Sequence, residues 1–144
     1  IATANDPTKL PPEFMRKGRF DNSFWLDLPN LAERQEILAT TLAGYQRAGV
    51  GIDLAKVAAV CNGFTGSEIA ALVPDALFAA FGDNGREITT DDLVRVAETV
   101  VPLSKTADEK ILAMRQWAKG RAVPASALDP TSEPVHSSAR ALDI

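Results

Sequence analysis

The sequence opens Ile1-Ala-Thr-Ala-Asn5-Asp6-Pro7 and runs, past Pro11-Pro12, into Phe14-Met15-Arg16-Lys17-Gly18-Arg19-Phe20-Asp21. Residues 1–4 alternate small and apolar, the pattern of a strand buried in a tightly packed sheet. Asn5-Asp6-Pro7 ends it, because proline lacks an amide donor and the residue before it avoids the helical region. Pro11-Pro12 opens a short helix, where missing donors cost nothing. That helix spans Glu13 to Lys17 and stops at Gly18. Arg16 and Arg19 then stand three apart around a glycine that lets the backbone turn sharply. A guanidinium is planar, always charged and able to fork onto phosphate oxygens. On chemistry alone, two solvated arginines at a helix end are the commoner reading.

Beyond this stretch, Asp21-Asn22-Ser23 is a turn cluster. Phe24, Leu26 and Leu28 alternate with Ser23, Trp25 and Asp27, a strand closed by Pro29 that points Trp25 outward. From Asn30 the period changes to that of helices. Asn30 and Glu33 form a capping box, and Leu31, Leu38, Leu42 and Tyr45 form the stripe of a helix ending near Gly49-Val50-Gly51. Asp53 caps a second helix with Leu54, Val57, Ala58 and Cys61 inward, stopped by Asn62-Gly63. Thr65 and Glu68 box the third. Ile69, Leu72, Val73, Ala76, Leu77, Ala80 and Phe81 recur there at three and four, so it should be the most buried, with Pro74 on its outer face. Thr89 and Asp92 box a fourth, with Ile88 stapled to Leu93, Val96, Ala97 and Val100 inward, and Pro102 as its end. Thr106 and Glu109 open one more, with Ile111, Leu112 and Met114 apolar and Gly120 as its stop. Residues 121–144 read as an extended or disordered tail, poor in bulky apolar side chains.

Two candidate strands without further partners are marginal in water. The expectation is therefore a C-terminal piece whose first strand belongs in a larger sheet. The 144 residues carry a net charge of −4, which leaves no global basic field for nucleic acid. No apolar run reaches the ~18 residues of a membrane span. One cysteine, Cys61, excludes an internal disulfide and a zinc cluster, and fits a small core residue in a reducing, cytosol-like compartment. His136 lacks partners for ligand or catalytic duty. Asp91-Asp92 is a helix-start charge pair rather than an acid/base dyad. Trp25 suits a partner contact or a covering loop, and Trp117 an anchor to the helical bundle or to a neighbour.

The string Ala-Thr-Ala-Asn-Asp-Pro followed by Leu10-Pro11-Pro12-Glu13-Phe14-Met15-Arg16-Lys17-Gly18-Arg19-Phe20-Asp21 resembles the second region of homology of the AAA ATPases. Pro29-Asn30-Leu31-Ala32-Glu33-Arg34-Gln35-Glu36-Ile37-Leu38 is similar to the segment leading into their helical lid. Gly63-Phe64-Thr65-Gly66-Ser67-Glu68-Ile69 is similar to the lid motif Gly-Phe-Ser-Gly-Ala-Asp-Ile. Val101-Pro102-Leu103-Ser104, Arg115-Gln116-Trp117-Ala118 and Gly120-Arg121-Ala122 resemble a bacterial and chloroplast open-reading-frame (Ycf-type) branch.

The resemblance implies an α/β fragment, the last strands of a P-loop ATPase core, followed by an all-α lid, so that the whole is mainly α. Residues 1–29 would be the end of the core, 30–103 the lid, and 104–144 an extra helix and flexible tail. Asn5 would be sensor 1, positioning the attacking water against the γ-phosphate, although an Asx turn at a strand end accounts for the same residue. Arg16 and Arg19 would be arginine fingers reaching the neighbouring subunit's nucleotide. Gly66 and Ser67, at a helix start, would face base and ribose, with Ser67 departing from the usual alanine. Ile37 would touch the adenine face, and Thr41 stands where the family often has histidine. ATP and Mg2+ would be the cofactors and a ring or helical homo-oligomer the assembly. The client would be a protein the sequence does not name, and the compartment cytoplasm or chloroplast stroma.

No Gly-x-x-x-x-Gly-Lys-[Ser/Thr] loop and no apolar strand ending in paired acids occurs in these 144 residues. The Mg2+ ligands are therefore absent from the chain, and by itself it is expected to hydrolyse no ATP. The rival reading is a non-enzymatic helical protein-interaction module.

Overall fold

The computed structural model describes residues 1–16, 18–48 and 51–126. Lys17, the expected helix end at Gly49-Val50, His136 and the tail beyond 126 lie outside them.

Four helices form the core: α1 (Leu31–Gly44), α2 (Leu54–Val60), α3 (Gly66–Gly82) and α4 (Thr90–Thr99). Their starts follow from local chemistry. The Asn30 side chain accepts from Glu33 N–H while Glu33 accepts from Asn30 N–H, and Thr65/Glu68 and Thr89/Asp92 do the same. Asp53 caps α2 by accepting from Lys56 N–H at 2.9 Å. The helices pack α1 on α2 and α3, and α4 on α2 and α3. Between them lie Leu38, Leu42, Val57, Ala58, Cys61, Phe64, Ile69, Leu72, Val73, Ala76, Ile88, Leu93 and Ala97. Burial pushes the Cys61 thiol up to about 11 against the opposing charge of Arg34, so it stays protonated as a core residue.

Several expectations on the bundle are corrected. Phe81 is 77 % exposed rather than inward, and its neighbour Phe78 is 81 % exposed. The stripe of α1 narrows to Leu38 and Leu42, since Leu31 and Tyr45 at its two ends are exposed. α1 itself stops at Gly44, and Gln46 follows at φ +58°. As expected, Pro74 lies inside α3, which runs on through it.

Asp92 is a buried acid with a full set of donors. It receives Arg86 Nη1 at 2.6 Å and Nη2 at 2.8 Å, Thr89 N at 2.9 Å and Thr89 Oγ1 at 2.7 Å. The Arg86 hydrogen bonds, outweighing burial, hold its carboxyl far below the usual carboxylate range. A depressed folded pKa contributes stability above the ordinary value and loses it as pH falls through the lowered one. Asp92→Ala should therefore cost about 2 kcal/mol at neutral pH, read as a lower urea midpoint. The gap to wild type should persist at pH 4 and close only in stronger acid.

Gly63 ends the α2 corner at φ +82°, and a Cβ there would meet Ser104 Oγ at 2.5 Å. Gly63→Ala should cost about 1–2 kcal/mol. Ser104→Ala should recover only the part due to the clash, as a double-mutant cycle of thermal midpoints would show.

Outside the bundle the departures are larger. Residues 1–4 form no strand and are exposed, because no described segment offers them a ladder. Two 3-10 turns follow, Pro7–Lys9 and Pro12–Met15. The expected helix through Lys17 thus ends at Met15, with Arg16 as its C-cap. β1 is Phe24–Trp25 alone. Its apolar row is uncovered, with Phe24 64 % and Leu26 76 % exposed, whereas Trp25 is half-buried, the reverse of the expected facing.

The reason is a pairing with no local signal. β2 (Val123–Pro124) lies parallel to β1, with Val123 N–H donating to Ser23 O and Ala125 N–H to Trp25 O, both at 2.8 Å. Residues 123–125 are therefore structured rather than tail, paired along the backbone of Ser23–Trp25. The expected box of Thr106 and Glu109 is also absent. Pro102 restarts the chain as α5 (Leu103–Thr106), and Thr106 spends its hydroxyl on Leu103 O. α6 (Asp108–Ala118) begins at Ala107 without a side-chain cap and ends before Gly120 at φ +77°.

Candidate functional site

The residues singled out from the sequence fall in two places. The first is the start of α3. Gly66 and Ser67 are its first two residues, so their amides have no acceptor within the helix. The Thr65 and Glu68 side chains hold the turn open from below: Glu68 Oε2 receives Thr65 N at 2.7 Å, and Ser67 Oγ lies 3.1 Å from Thr65 Oγ1. Burial works to raise the Glu68 pKa, but the N–H groups of Thr65 and Leu103 bring it below its ordinary value, so the carboxylate stays charged in its box.

Half-buried Ile37 lies against this turn, its Cδ1 3.5 Å from where a Gly66 Cβ would stand. Thr41 is one helical turn on, and its hydroxyl donates to Ile37 O at 2.7 Å. It keeps lone pairs with which to accept. The structure thus sets Ile37 against Gly66, with Ser67 next in α3 and Thr41 one turn further along α1: an apolar face, two open amides and two hydroxyls.

The second place is the segment before β1. Arg16 O accepts from Arg19 N–H at 3.2 Å, Gly18 lies at φ +90°, and Gly18 N–H donates to Asp21 Oδ1 at 3.1 Å. Phe14 and Phe20 stack across this turn with centroids 6.2 Å apart. Arg16 and Arg19 are exposed, and among the described residues neither side chain has a hydrogen bond or ion pair. Asn5 is exposed as well. The Asx turn beside it belongs to Asp6, whose Oδ1 accepts from Thr8 N at 3.2 Å. No hydrogen bond or ion pair joins Asn5, Arg16 or Arg19 to the Ile37–Ser67 corner among the described residues.

Sequence reasoning missed the contacts of Arg34, of Arg115 and of the second Glu68 oxygen. Arg34 is buried in α1, donating through Nε to Ala58 O and through Nη1 to Pro29 O, each at 2.9 Å. Arg115 forks onto Asp27, Nε at 2.8 and 3.0 Å and Nη2 at 2.8 Å from its oxygens. Glu68 Oε1 accepts from Leu103 N–H at 2.8 Å. Each joins residues far apart in sequence, or uses an atom left over after capping, so no spacing announces it. Trp117 was expected to anchor α6 to the bundle or a neighbour. In the structure it lines a cleft of about 500 Å3 with Pro7, Leu10, Pro12 and Met15, under the Arg121 guanidinium at 6.0 Å. Among the described residues no acid or histidine cluster could hold a metal, and no helix is long and apolar enough to cross a membrane.

A boxed helix start set against an isoleucine of the preceding long helix, within a four-helix bundle, is the architecture of an AAA+ lid domain, and residues 51–95 match that family. That stretch belongs to the AAA+ lid domain family.

Over 128 residues it is 38 % identical to the AAA domain-containing protein ycf46 of Pyropia yezoensis, covering 88 % of this chain and 26 % of that protein. It is 39 % identical to ycf46 of Guillardia theta over 119 residues, 82 % of this chain and 23 % of the relative. Against the ATP-dependent zinc metalloprotease FtsH 2 of Petrotoga mobilis it is 33 % identical over 143 residues, 94 % of this chain and 22 % of that one. The chain thus spans about a quarter of the length of these curated relatives. In fold it is similar to the AAA domain of FIGL-1 crystallised with ADP, with a TM-score of 0.62 and 22 % identity over 81 % of this chain and 42 % of that one.

Proposed function

We propose that this chain supplies the lid and the second half of the catalytic apparatus to an AAA ATPase that couples ATP hydrolysis to remodelling another protein. The observation that carries the reading is the corner at Gly66: open amides of a helix start beside an apolar isoleucine face, in a domain that matches the AAA+ lid. That donor set suits a nucleoside phosphate. Ile37 would hold the adenine plane, and Gly66 and Ser67 would offer N–H groups to the ribose side, where the helix dipole favours negative charge. The Thr41 hydroxyl, already donating to Ile37 O, would act as an acceptor toward the base.

Bound ATP supplies the phosphoryl group that passes to water. Asn5 is sensor 1: its amide both donates and accepts, so it can orient a water molecule and a phosphate oxygen together. Arg16 and Arg19 serve a neighbouring copy. Two exposed guanidiniums around a glycine turn, without partners among the described residues, are free to fork onto a neighbour's phosphates. A site shared head to tail requires a ring or helical oligomer. The uncovered row of Phe24 and Leu26 would pack on the rest of the core sheet, in a reducing compartment such as cytoplasm or stroma.

Amide hydrogen exchange on the complete protein tests the lid assignment. ADP or ATP should slow exchange at residues 65–69 and leave the far end of α3 unchanged. Nucleotide binding without that protection would overturn it and favour a non-enzymatic interaction module, for which Phe78 and Phe81 offer an exposed apolar face. The 144-residue chain, purified by itself, should show no turnover.

A further inference from the structure

The chain leaves the bundle at Pro102 and returns to the segment from which it entered. β2 pairs with β1, and Arg115 on α6 forks onto Asp27, two residues beyond β1. Among the helices α6 packs chiefly on α5, and its Arg115 reaches this segment. Both ends of the bundle are pinned at one corner. Pro29 O is tied through Arg34 to Ala58 of α2. Leu103 N is tied to Glu68, and Ser104 lies against Gly63.

We infer that residues 103–125 are a strap that fastens the far end of the lid back onto the strand preceding it, with Asp27 and Arg115 as its clasp. The lid thereby joins the rest of the chain at two points, Pro29 and Pro102. Glu68 links the strap to the first turn of α3, since one carboxylate oxygen holds Thr65 and the other holds Leu103. Trp117 and Arg121 extend the strap along residues 7–15, so it also borders the segment ending at Arg16.

The clasp has the geometry that makes a surface pair count: a planar fork onto both carboxylate oxygens. Burial works to raise the Asp27 pKa, but Arg115, Leu28 N–H and the Trp25 indole together bring it below the ordinary value.

Hydrogen exchange on the purified chain tests the strap without nucleotide, so its outcome is separate from that of the ATPase reading. Val123 and Ala125 N–H report the β1–β2 pairing directly. Arg115→Met, which keeps the apolar stem, should speed their exchange roughly fivefold while α1–α4 are unchanged. Arg115→Lys, which keeps charge but loses the fork, should fall between wild type and Arg115→Met. The proposal is overturned if Val123 and Ala125 are unprotected in wild type, if Arg115→Met leaves them unchanged, or if it speeds exchange throughout the bundle to the same extent.

Discussion

Replacing either Arg16 or Arg19 with alanine in the complete protein is expected to lower ATP turnover by about 10³- to 10⁵-fold, equivalent to ~4–7 kcal/mol of barrier. Nucleotide affinity should stay within a few-fold of wild type, because the guanidiniums act on the neighbour's site and on charge that develops in the transition state. Both side chains are exposed and lack partners among the described residues, so the thermal midpoint should not move. A lysine keeps the charge but cannot fork, and should recover little of the rate. Mixing copies that lack Arg16 with copies unable to bind nucleotide should restore some turnover, since each contributes the half the other lacks. Full activity of both single variants would remove the shared-site proposal.

Arg34→Ala is expected to destabilise the chain by about 3 kcal/mol, seen as a lower urea midpoint with an unchanged m value. The guanidinium is 5 % exposed and satisfies two backbone carbonyls, Pro29 O and Ala58 O, on either side of the point where the chain enters the lid. Truncation leaves both carbonyls unpaired and opens a void among Val57, Ala58 and Cys61. Arg34→Lys should recover less than half, because a single ammonium on a flexible stem does not span two acceptors with Arg34's fixed fork. A loss below about 1 kcal/mol would mean that water replaces both contacts and that the junction at Pro29 is not held by this residue.

The elements legible in the sequence share one property, that their determinants are local. Asn30/Glu33, Thr65/Glu68 and Thr89/Asp92 announce helix starts within four residues, and the structure forms all three boxes. The apolar period of α3 located Ile69, Leu72, Val73 and Ala76 in the core. Thr106/Glu109 has a similar spacing and fails, because Pro102 starts α5 four residues earlier and uses Thr106 within it. Phe81 keeps the period and stays exposed, on the same outer side of α3 as Phe78, while Ala80 beside it is buried. Ile37 beside Gly66 follows from the family resemblance, but their 3.5 Å approach depends on how α1 crosses α3.

The amino-acid order alone settled the starts of α1–α4, their four-helix core and the match to an AAA+ lid, since caps and periodicity act over a few residues and motifs are read directly. Tertiary structure decided the rest: that Arg34 is buried, that Asp27 meets Arg115 88 positions away, and that Val123 lies beside Phe24. Each of these contacts joins segments whose meeting depends on the route of the whole chain, and a charged or β-capable residue carries no mark of which distant partner that route will bring to it.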